Sequence, residues 1–165
     1  EVTKSLAQYF RLALNQGHEQ ITLKDEIDHV RQYLFIQKQR YGDKLQYEIE
    51  EDESIADYKL PKLVLQPLVE NAIYHGIKEI DRQGMIRVTS AAEEGQLILS
   101  IYDNGRGFEL RDSTDMTLPR LGGVGLKNVD QRLRLQFGDD YHMEIQSEPD
   151  KFTRISLYLP LVTDD

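Results

Sequence analysis

The sequence predicts a two-layer α/β (α+β) sandwich: a mixed, mostly antiparallel sheet with helices on one face, preceded by two helices. Two observations lead to this fold class. Helical and alternating hydrophobic patterns follow one another as two helices, then strand, helix, two strands, an irregular loop, helix and two strands. Strands that are neighbours in the sequence are joined by short turns, which favours antiparallel pairing and collects the helices on one face.

Two helices are predicted before the first strand. Residues 3–16 carry apolar side chains at helical spacing. Thr22, with Asp25 three residues later, is a candidate N-cap for a second helix that runs to about Arg40. We expect His29, which has charged neighbours in the sequence, to lie on the surface of this helix.

The later elements alternate regularly. The patterns predict strands over residues 45–49, 85–91, 96–102, 141–147 and 152–159, and helices from Pro61 to about Ile77 and from about Gly125 to Phe137. Glu93-Glu94-Gly95 predicts a hairpin turn between two of the strands. Pro67 falls inside the first of these helices, where it must occupy the first regular turn or produce a kink, because proline lacks a backbone donor.

Composition excludes several classes of function. The 165 residues fit one domain with some appended structure, and the net charge of −9 without a basic stripe disfavours a nucleic-acid partner. The absence of cysteine excludes disulfides, thiolate metal sites and a cysteine nucleophile, and fits a cytoplasmic domain. No apolar stretch approaches the roughly 18 residues that span a bilayer. Because the chain begins at Glu1, we expect it to be part of a longer protein.

Three clusters contain residues suited to chemistry. The first is the run Leu-Gln-Pro-Leu-Val-Glu-Asn-Ala-Ile-Tyr-His-Gly at residues 65–76. On a helix, Asn71, Tyr74, His75 and Lys78 share one side. Taken alone, this pattern is explained equally well by an amphipathic surface helix.

The second cluster is Asp103 followed by Gly105 and Gly107, at the end of a predicted strand. A carboxylate held there can accept a hydrogen bond from the exocyclic amino group of adenine, whereas the carbonyl of guanine would repel it. Glycines beside it let the backbone and a base approach closely. Taken alone, an ordinary turn after a strand is the simpler explanation.

The third cluster is Gly122-Gly123-Val124-Gly125, directly before an amphipathic helix. Exposed amides and the positive end of a helix form a site for phosphate oxygens. A simple glycine-rich helix start explains the same residues. The sequence contains neither the G-x-x-x-x-G-K-[ST] phosphate loop nor a G-x-G-x-x-G turn in a βαβ unit.

Taken in order, the three clusters resemble the GHKL (Bergerat) ATP-binding fold of gyrase, Hsp90, histidine kinases and MutL. Residues 65–76 resemble specifically the histidine kinases of the LytS/YesM type, which carry a similar Q-P-L-V-E-N-A-x-x-H-G run. The upstream residues Glu26, Tyr33-Leu34-Phe35-Ile36-Gln37 and Arg40-Tyr41-Gly42-Asp43 resemble the helix that precedes this run in that family. The resemblance covers nearly the whole chain.

The resemblance implies the ATP-binding catalytic domain of a two-component sensor histidine kinase, which uses ATP and Mg²⁺. Asn71 would be the Mg²⁺ ligand, Asp103 would select adenine, and residues 108–122 would form a lid over the nucleotide. Gln66 and Glu70 would flank the metal ligand. Candidate catalytic residues are Asn71, Glu70 and His75, and candidate nucleotide-binding residues are Asn71, Tyr74, His75, Lys78, Asp103, Gly105, Gly107, Arg120, Gly123, Gly125, Leu126 and Lys127. Tyr74 departs from the Lys or Arg that many histidine kinases place there.

The resemblance also implies what lies beyond this sequence. The family phosphorylates a histidine in an N-P-H-F-L-F-N-like helix, and none of the four histidines here has that context. The γ-phosphate is therefore expected to pass to a histidine outside the chain, and then to the receiver domain of a response regulator. Residues 1–41 would be the end of the dimerisation and phosphoacceptor region with a connector, and residues 42–165 the ATP-binding domain. The full-length protein would be a homodimer in the cell membrane.

Other functions of the same fold remain open at this stage. ATP hydrolases of the gyrase or MutL kind place a Glu four residues before the metal-binding Asn, and Pro67 occupies that position here. Anti-sigma serine kinases carry the same Glu but have a comparable compact size, so they are the second hypothesis. A degenerate binding module that no longer uses nucleotide is the third.

Overall fold

The computed structural model describes residues 2–6, 20–110 and 124–161. Residues 2–6 are helical, and the longer helices are α1 (Leu23–Tyr41), α2 (Leu65–Asn71, continuing as a π-helical segment over Ala72–Ile77) and α3 (Val124–Phe137). The strands are β1 (Gln20–Thr22), β2 (Leu45–Glu50), β3 (Lys59–Pro61), β4 (Gly84–Glu93), β5 (Gln96–Asp103), β6 (His142–Glu148) and β7 (Phe152–Pro160). Short 3₁₀ turns cover Gly42–Lys44, Glu53–Ile55 and Gly138–Asp140. None of the described helices combines the length and hydropathy needed to cross a bilayer.

The main sheet has five strands in the order β2-β4-β5-β7-β6. β2 pairs with β4 in parallel, and the other neighbours in this sheet are antiparallel. A parallel pair needs a long crossover, and here the crossover contains β3 and α2. β1 and β3 form a separate two-stranded antiparallel ribbon. The predicted mixed and mostly antiparallel sheet is confirmed.

The helices pack on one face of the main sheet. On β5, Leu97, Leu99 and Ile101 are buried in the hydrophobic core together with the apolar sides of α1, α2 and α3. The intervening residues of the sheet form an open, polar face that includes Arg87, Thr89, Ser100, Tyr102 and Arg154. The predicted two-layer sandwich is therefore confirmed, and Asp103 continues the buried face of β5 at its last residue.

The N-terminus of α1 has the cap that the sequence predicts. The Thr22 hydroxyl accepts a hydrogen bond from the backbone amide of Asp25 at 3.1 Å. The preceding amides donate to loop carbonyls, Leu23 to Tyr58 at 2.8 Å and Lys24 to Ala56 at 3.0 Å. These bonds satisfy amides that have no partner inside the helix and fix where α1 begins.

The predicted surface position of His29 is wrong. Its side chain is only 2% exposed, and burial lowers its pKa. Immediate sequence neighbours do not share a helix face, whereas residues three and four positions away do. Glu26 and Tyr33 stand at those positions and are buried as well, so α1 buries a wider face than its apolar stripe alone indicates.

The predicted start of the third helix at Pro61 is also wrong. Pro61 ends β3, opposite Gln20 of β1, and α2 begins only at Leu65. Between them, Leu63 has a φ of 60°, in the left-handed region that a regular helix does not visit. Pro67 is the third residue of α2, within the first turn, where a missing backbone donor is tolerated.

Replacing the N-cap tests the account of how α1 begins. We expect Thr22→Ala to lower the free energy of unfolding by about 1 kcal/mol, because one helix amide loses its acceptor. Thr22→Ser keeps the hydroxyl and should stay close to the parent protein. Urea denaturation of both variants measures this, and equal destabilisation by Ser and Ala would contradict the capping role.

Candidate functional site

The site forms where the C-terminal part of α2 meets the end of β5. The backbone amide of Arg106 donates to the Gly76 carbonyl at 3.3 Å. A Cβ on Gly105 would overlap the backbone of Gly76, and a Cβ on Gly76 would overlap the carboxylate of Asp103. Glycine at both positions therefore permits a contact between helix and strand end that any larger residue would push apart.

Asp103 is a buried carboxylate with few hydrogen bonds to offset the cost of burying its charge. It is 3% exposed, and its Oδ1 accepts a hydrogen bond from the Gly105 amide at 2.9 Å. Burial raises the pKa of Asp103 to about 7, and the Gly105 hydrogen bond offsets only part of that effect. Such a carboxyl is poised to gain from a further hydrogen-bond donor in the adjoining depression.

Asn71, the last residue of the α-helical part of α2, holds an unsatisfied oxygen. The residue is 8% exposed, and its Oδ1 is buried without a hydrogen-bond partner in the described part of the chain. A buried acceptor without a partner is costly, so a bound cation or water at this oxygen would stabilise it. An amide oxygen suits a hard cation such as Mg²⁺, which keeps most of its water and needs few protein ligands. Within residues 2–6, 20–110 and 124–161, no group of three or more acidic or histidine side chains could hold a metal.

Two depressions share Asn71 and His75 and connect most of the predicted residues. One is lined additionally by Gly76, Asp103, Arg106, Gly107, Phe108 and Thr153. The other is lined additionally by Pro67, Glu70, Tyr74, Gly125 and Leu126. The buried carboxylate and the start of α3 thus line neighbouring depressions that have Asn71 and His75 in common. Glu70, in the second depression, accepts a hydrogen bond from Gln66 at 2.8 Å.

Lys78 and Lys127 line neither depression. Lys78 follows the π-helical segment, and its amide bonds to the Ile73 carbonyl at 2.9 Å, five residues back. This wider turn rotates Lys78 relative to Asn71, so the side shared on a regular helix is lost. The Lys78 ammonium lies 5.8 Å from the ring centroid of Tyr74 instead. Lys127 is exposed on α3.

Some predicted residues lie outside the described part of the chain. They are Arg120 and Gly123, together with most of the expected lid, since description stops at residue 110 and resumes at 124. The base of that segment is fixed: the Phe108 amide donates to the Ser147 hydroxyl at 2.9 Å. The Asp150 amide donates to the Arg106 carbonyl at 2.6 Å.

Thr153 was not predicted to belong to the site. It is 6% exposed, lies opposite Asp103 in the β5–β7 register and lines the same depression. Its hydroxyl is 3.0 Å from that of Ser147. The alternation of β7 places Thr153 on the buried face, and this could be predicted from the sequence. Its position opposite Asp103 depends on a pairing between segments far apart in the sequence.

Fold and site together define a known class of protein. The chain belongs to the family described as histidine kinase-, DNA gyrase B-, and HSP90-like ATPase, whose model matches residues 56–163. A histidine kinase family model matches residues 1–45. The predicted family is confirmed, and ATP is the nucleotide that it implies.

Two curated relatives are named as sensor histidine kinases. The chain is 38% identical over 160 residues to the sensor histidine kinase BtsS of Escherichia coli (strain K12). It is 33% identical over 162 residues to the sensor histidine kinase YesM of Bacillus subtilis (strain 168). Each alignment covers 97% of this chain and 27% of the relative, so the chain spans about a quarter of their length.

Solved structures agree on the fold. The histidine kinase domain of the blue-light activated histidine kinase from Erythrobacter litoralis EL346 has a TM-score of 0.63 at 18% identity, covering 97% of this chain and 73% of that one. The catalytic domain of histidine kinase ThkA has a TM-score of 0.61 at 14% identity, covering 88% and 97%. At these identities the likeness concerns the fold alone.

The raised pKa of Asp103 predicts a pH-dependent stability. The folded protein binds the proton of the Asp103 carboxyl more tightly than the unfolded chain does. Protonation therefore stabilises the fold, fully below about pH 4, and this contribution is lost as the pH rises through about 7. We expect the unfolding free energy of the parent protein, relative to Asp103→Asn, to fall by up to about 4 kcal/mol across this range. Urea denaturation of both nucleotide-free proteins from pH 4 to 8 measures it, and parallel profiles would contradict the assignment.

Proposed function

We propose that this chain is the ATP-binding catalytic portion of a two-component sensor histidine kinase. It transfers the γ-phosphoryl group of Mg-ATP to a histidine outside these residues, from which the group passes to an aspartate of a response regulator. The observation that carries the proposal is the convergence of Asp103, Asn71 and the start of α3 on one region. Family membership and the histidine kinase match over residues 1–45 support it.

Asp103 selects adenine in this proposal. Its Oδ1 is engaged by the Gly105 amide, so its second oxygen accepts a hydrogen bond from the exocyclic amino group. A donor at that point favours the ionised carboxylate and offsets the burial that raises its pKa. Thr153, Gly107 and Phe108 line the same depression as Asp103 and are proposed to complete the base-binding end of the site.

Asn71 binds the magnesium ion in this proposal, because its unsatisfied Oδ1 suits a metal that needs few protein ligands. When bound, Mg²⁺ neutralises charge on the phosphate oxygens. Gly125 and Leu126 offer the amides and the positive end of α3 to the phosphates. Arg120 and Gly123, in the segment before α3, are proposed to contribute to the same contacts, as are Tyr74, Lys78 and Lys127 from their exposed positions.

The residues of this chain form no covalent bond to the transferred phosphoryl group in the proposed reaction. A ring nitrogen of the acceptor histidine attacks the γ-phosphorus, the bond to the β–γ bridging oxygen breaks, ADP leaves, and the imidazole N–H proton is released. Positioning and charge stabilisation dominate such a transfer. Glu70 and His75 line the depressions beside Asn71 and are the proposed side chains for orienting the acceptor or taking its proton.

The wider setting is also proposed. Residues 1–41 form the end of the dimerisation region and the connector, and residues 42–165 form the ATP-binding domain. The full-length protein is proposed to be a homodimeric membrane sensor whose ATP-binding domain is cytoplasmic. The sensor kinases BtsS and YesM, of which this chain spans about a quarter, support that setting.

Two variants should separate adenine recognition from metal binding. Asp103→Asn places a donor NH₂ either against the Gly105 amide or against the adenine amino group, so we expect the Kd for ATP to rise about 10- to 100-fold, with or without Mg²⁺. Asn71→Ala should remove the gain in ATP affinity that Mg²⁺ provides and should change the affinity without Mg²⁺ much less. Calorimetry measures both, with Asp57→Asn at an exposed loop position as the matched control. Normal ATP binding by Asp103→Asn would contradict the site.

Phosphotransfer to histidine is the direct test of the function. We expect the chain, supplied with the upstream phosphoacceptor region of its full-length protein in trans, to form acid-labile phosphate from γ-labelled ATP. Asn71→Ala should reduce that labelling by at least about tenfold, as expected for lost charge stabilisation. Acid-stable label would instead favour a serine kinase. Absence of any thermal stabilisation by Mg-ATP, which should reach about 2.7 kcal/mol at 100 times Kd, would favour a nucleotide-free module.

A further inference from the structure

A second buried carboxylate lies outside the nucleotide site and connects α1 to α2. Glu26 of α1 is fully buried and accepts hydrogen bonds from three consecutive amides: Leu63 at 3.1 Å, Val64 at 2.7 Å and Leu65 at 2.9 Å. The left-handed conformation of Leu63 turns successive amides toward one point, which forms a concave anion site. The carboxylate of α1 therefore occupies a receptor built by the start of α2.

This carboxylate replaces a missing local cap. Val64 stands at the N-cap position of α2, and no side chain there accepts a hydrogen bond from the helix. The first amides of a helix need acceptors, and Glu26 supplies them from a different helix, 39 residues away from Leu65 in the sequence. The start of α2 is thus held by α1 rather than by its own sequence.

α3 holds the same segment from its other side. The guanidinium of Arg132 donates to the carbonyl of Leu63 at 3.3 Å and also to that of Lys62. Its positive charge and the three amides counteract the burial that raises the pKa of Glu26. We name residues 62–65, with Glu26 and Arg132, the helix joint, since α1, α2 and α3 meet there.

Two parts of the helix joint, residues 62–65 and Arg132, stand close in sequence to residues of the proposed nucleotide site. α2 leads from Leu65 directly to Asn71, and α3 leads from Arg132 back to Leu126 and Gly125, both of which line the depression beside Asn71. Helices move as rigid elements, so a shift at their joint changes the relative position of the side chains they carry. Asp103 lies on a strand, and none of the hydrogen bonds of the joint involves it.

We propose that Glu26 is a positioning residue, which sets the place of the Asn71 amide relative to the start of α3 and so couples α1 to the metal-dependent part of nucleotide binding. The inference rests on the proposed function, since it takes Asn71 as the magnesium ligand. It goes beyond that function by naming the contact through which a displacement of α1 reaches the site.

Glu26→Gln tests this coupling with almost unchanged shape. The amide retains one acceptor oxygen but places an NH₂ group against one of the three backbone amides. The quantity to be measured, by calorimetry, is the affinity for a non-hydrolysable ATP analogue with and without Mg²⁺. We expect the gain in affinity from Mg²⁺ to fall about fivefold or more, with less than about a twofold change in its absence.

A double-mutant cycle decides whether the effect runs through Asn71. In the Asn71→Ala background, Glu26→Gln should produce no further loss, because the group that it positions is gone. Asp28→Asn, the same charge change at a more exposed position of α1, is the matched control and should leave both affinities unchanged. Amide hydrogen exchange of residues 63–65 in the nucleotide-free variant should accelerate, as a readout independent of nucleotide.

Three results would overturn the proposal. Equal losses of affinity with and without Mg²⁺ would mean that Glu26 only stabilises the fold. Effects of Glu26→Gln and Asn71→Ala that simply add would overturn the coupling while leaving the proposed function intact. An unchanged Mg²⁺ effect in Asn71→Ala itself would overturn the metal assignment, and this inference with it. If Glu26→Gln does not fold, Arg132→Lys, which replaces the two-pronged guanidinium by a single ammonium nitrogen, enters the same cycle with the same expectations.

Discussion

The close contact between the end of α2 and the end of β5 is the constraint on which the site depends. Gly76 and Gly105 lack a Cβ at the points where helix and strand end touch, and only this permits the approach. As a result, Asn71 from the helix and Asp103 from the strand line the same depression, although 32 residues separate them in the sequence. Neither side chain alone indicates a nucleotide site, and the proposal depends on their convergence.

Three of the buried polar groups near the site, Glu26, Asp103 and Asn71, differ in how many hydrogen-bond partners the protein gives them. Glu26 has three backbone amides and a nearby guanidinium. Asp103 has one amide and a pKa raised by burial, and the Asn71 Oδ1 has no hydrogen-bond partner among the described residues. A buried polar group whose hydrogen bonds are all made within the protein stabilises the fold. A buried polar group that lacks hydrogen-bond partners is available to a ligand. This ordering separates Glu26 of the helix joint from Asp103 and Asn71, which are proposed to contact nucleotide.

Much of the fold could be predicted because its signals are local. Strand alternation, the Thr22 cap and the amphipathic face of α3 need only neighbouring residues, and the ordered clusters identified the family. The errors arose where a distant partner decides the structure. His29 and Glu26 are buried because other parts of the chain pack against this face of α1. α2 starts at Leu65 because Glu26, from another helix, accepts hydrogen bonds from its first amides. Thr153 joins the site only through the pairing of β7 with β5.

The π-helical turn is a further case, because its hydrogen-bond pattern leaves no signature in the apolar spacing and yet changes the angle around α2 between Asn71 and Lys78. The most direct test of the convergence on one nucleotide is a crystal structure with Mg²⁺ and a non-hydrolysable ATP analogue. We expect the adenine amino group within hydrogen-bond distance of Asp103 and the metal about 2.1 Å from the Asn71 Oδ1. A nucleotide bound away from Asp103, or a metal that Asn71 does not contact, would contradict it.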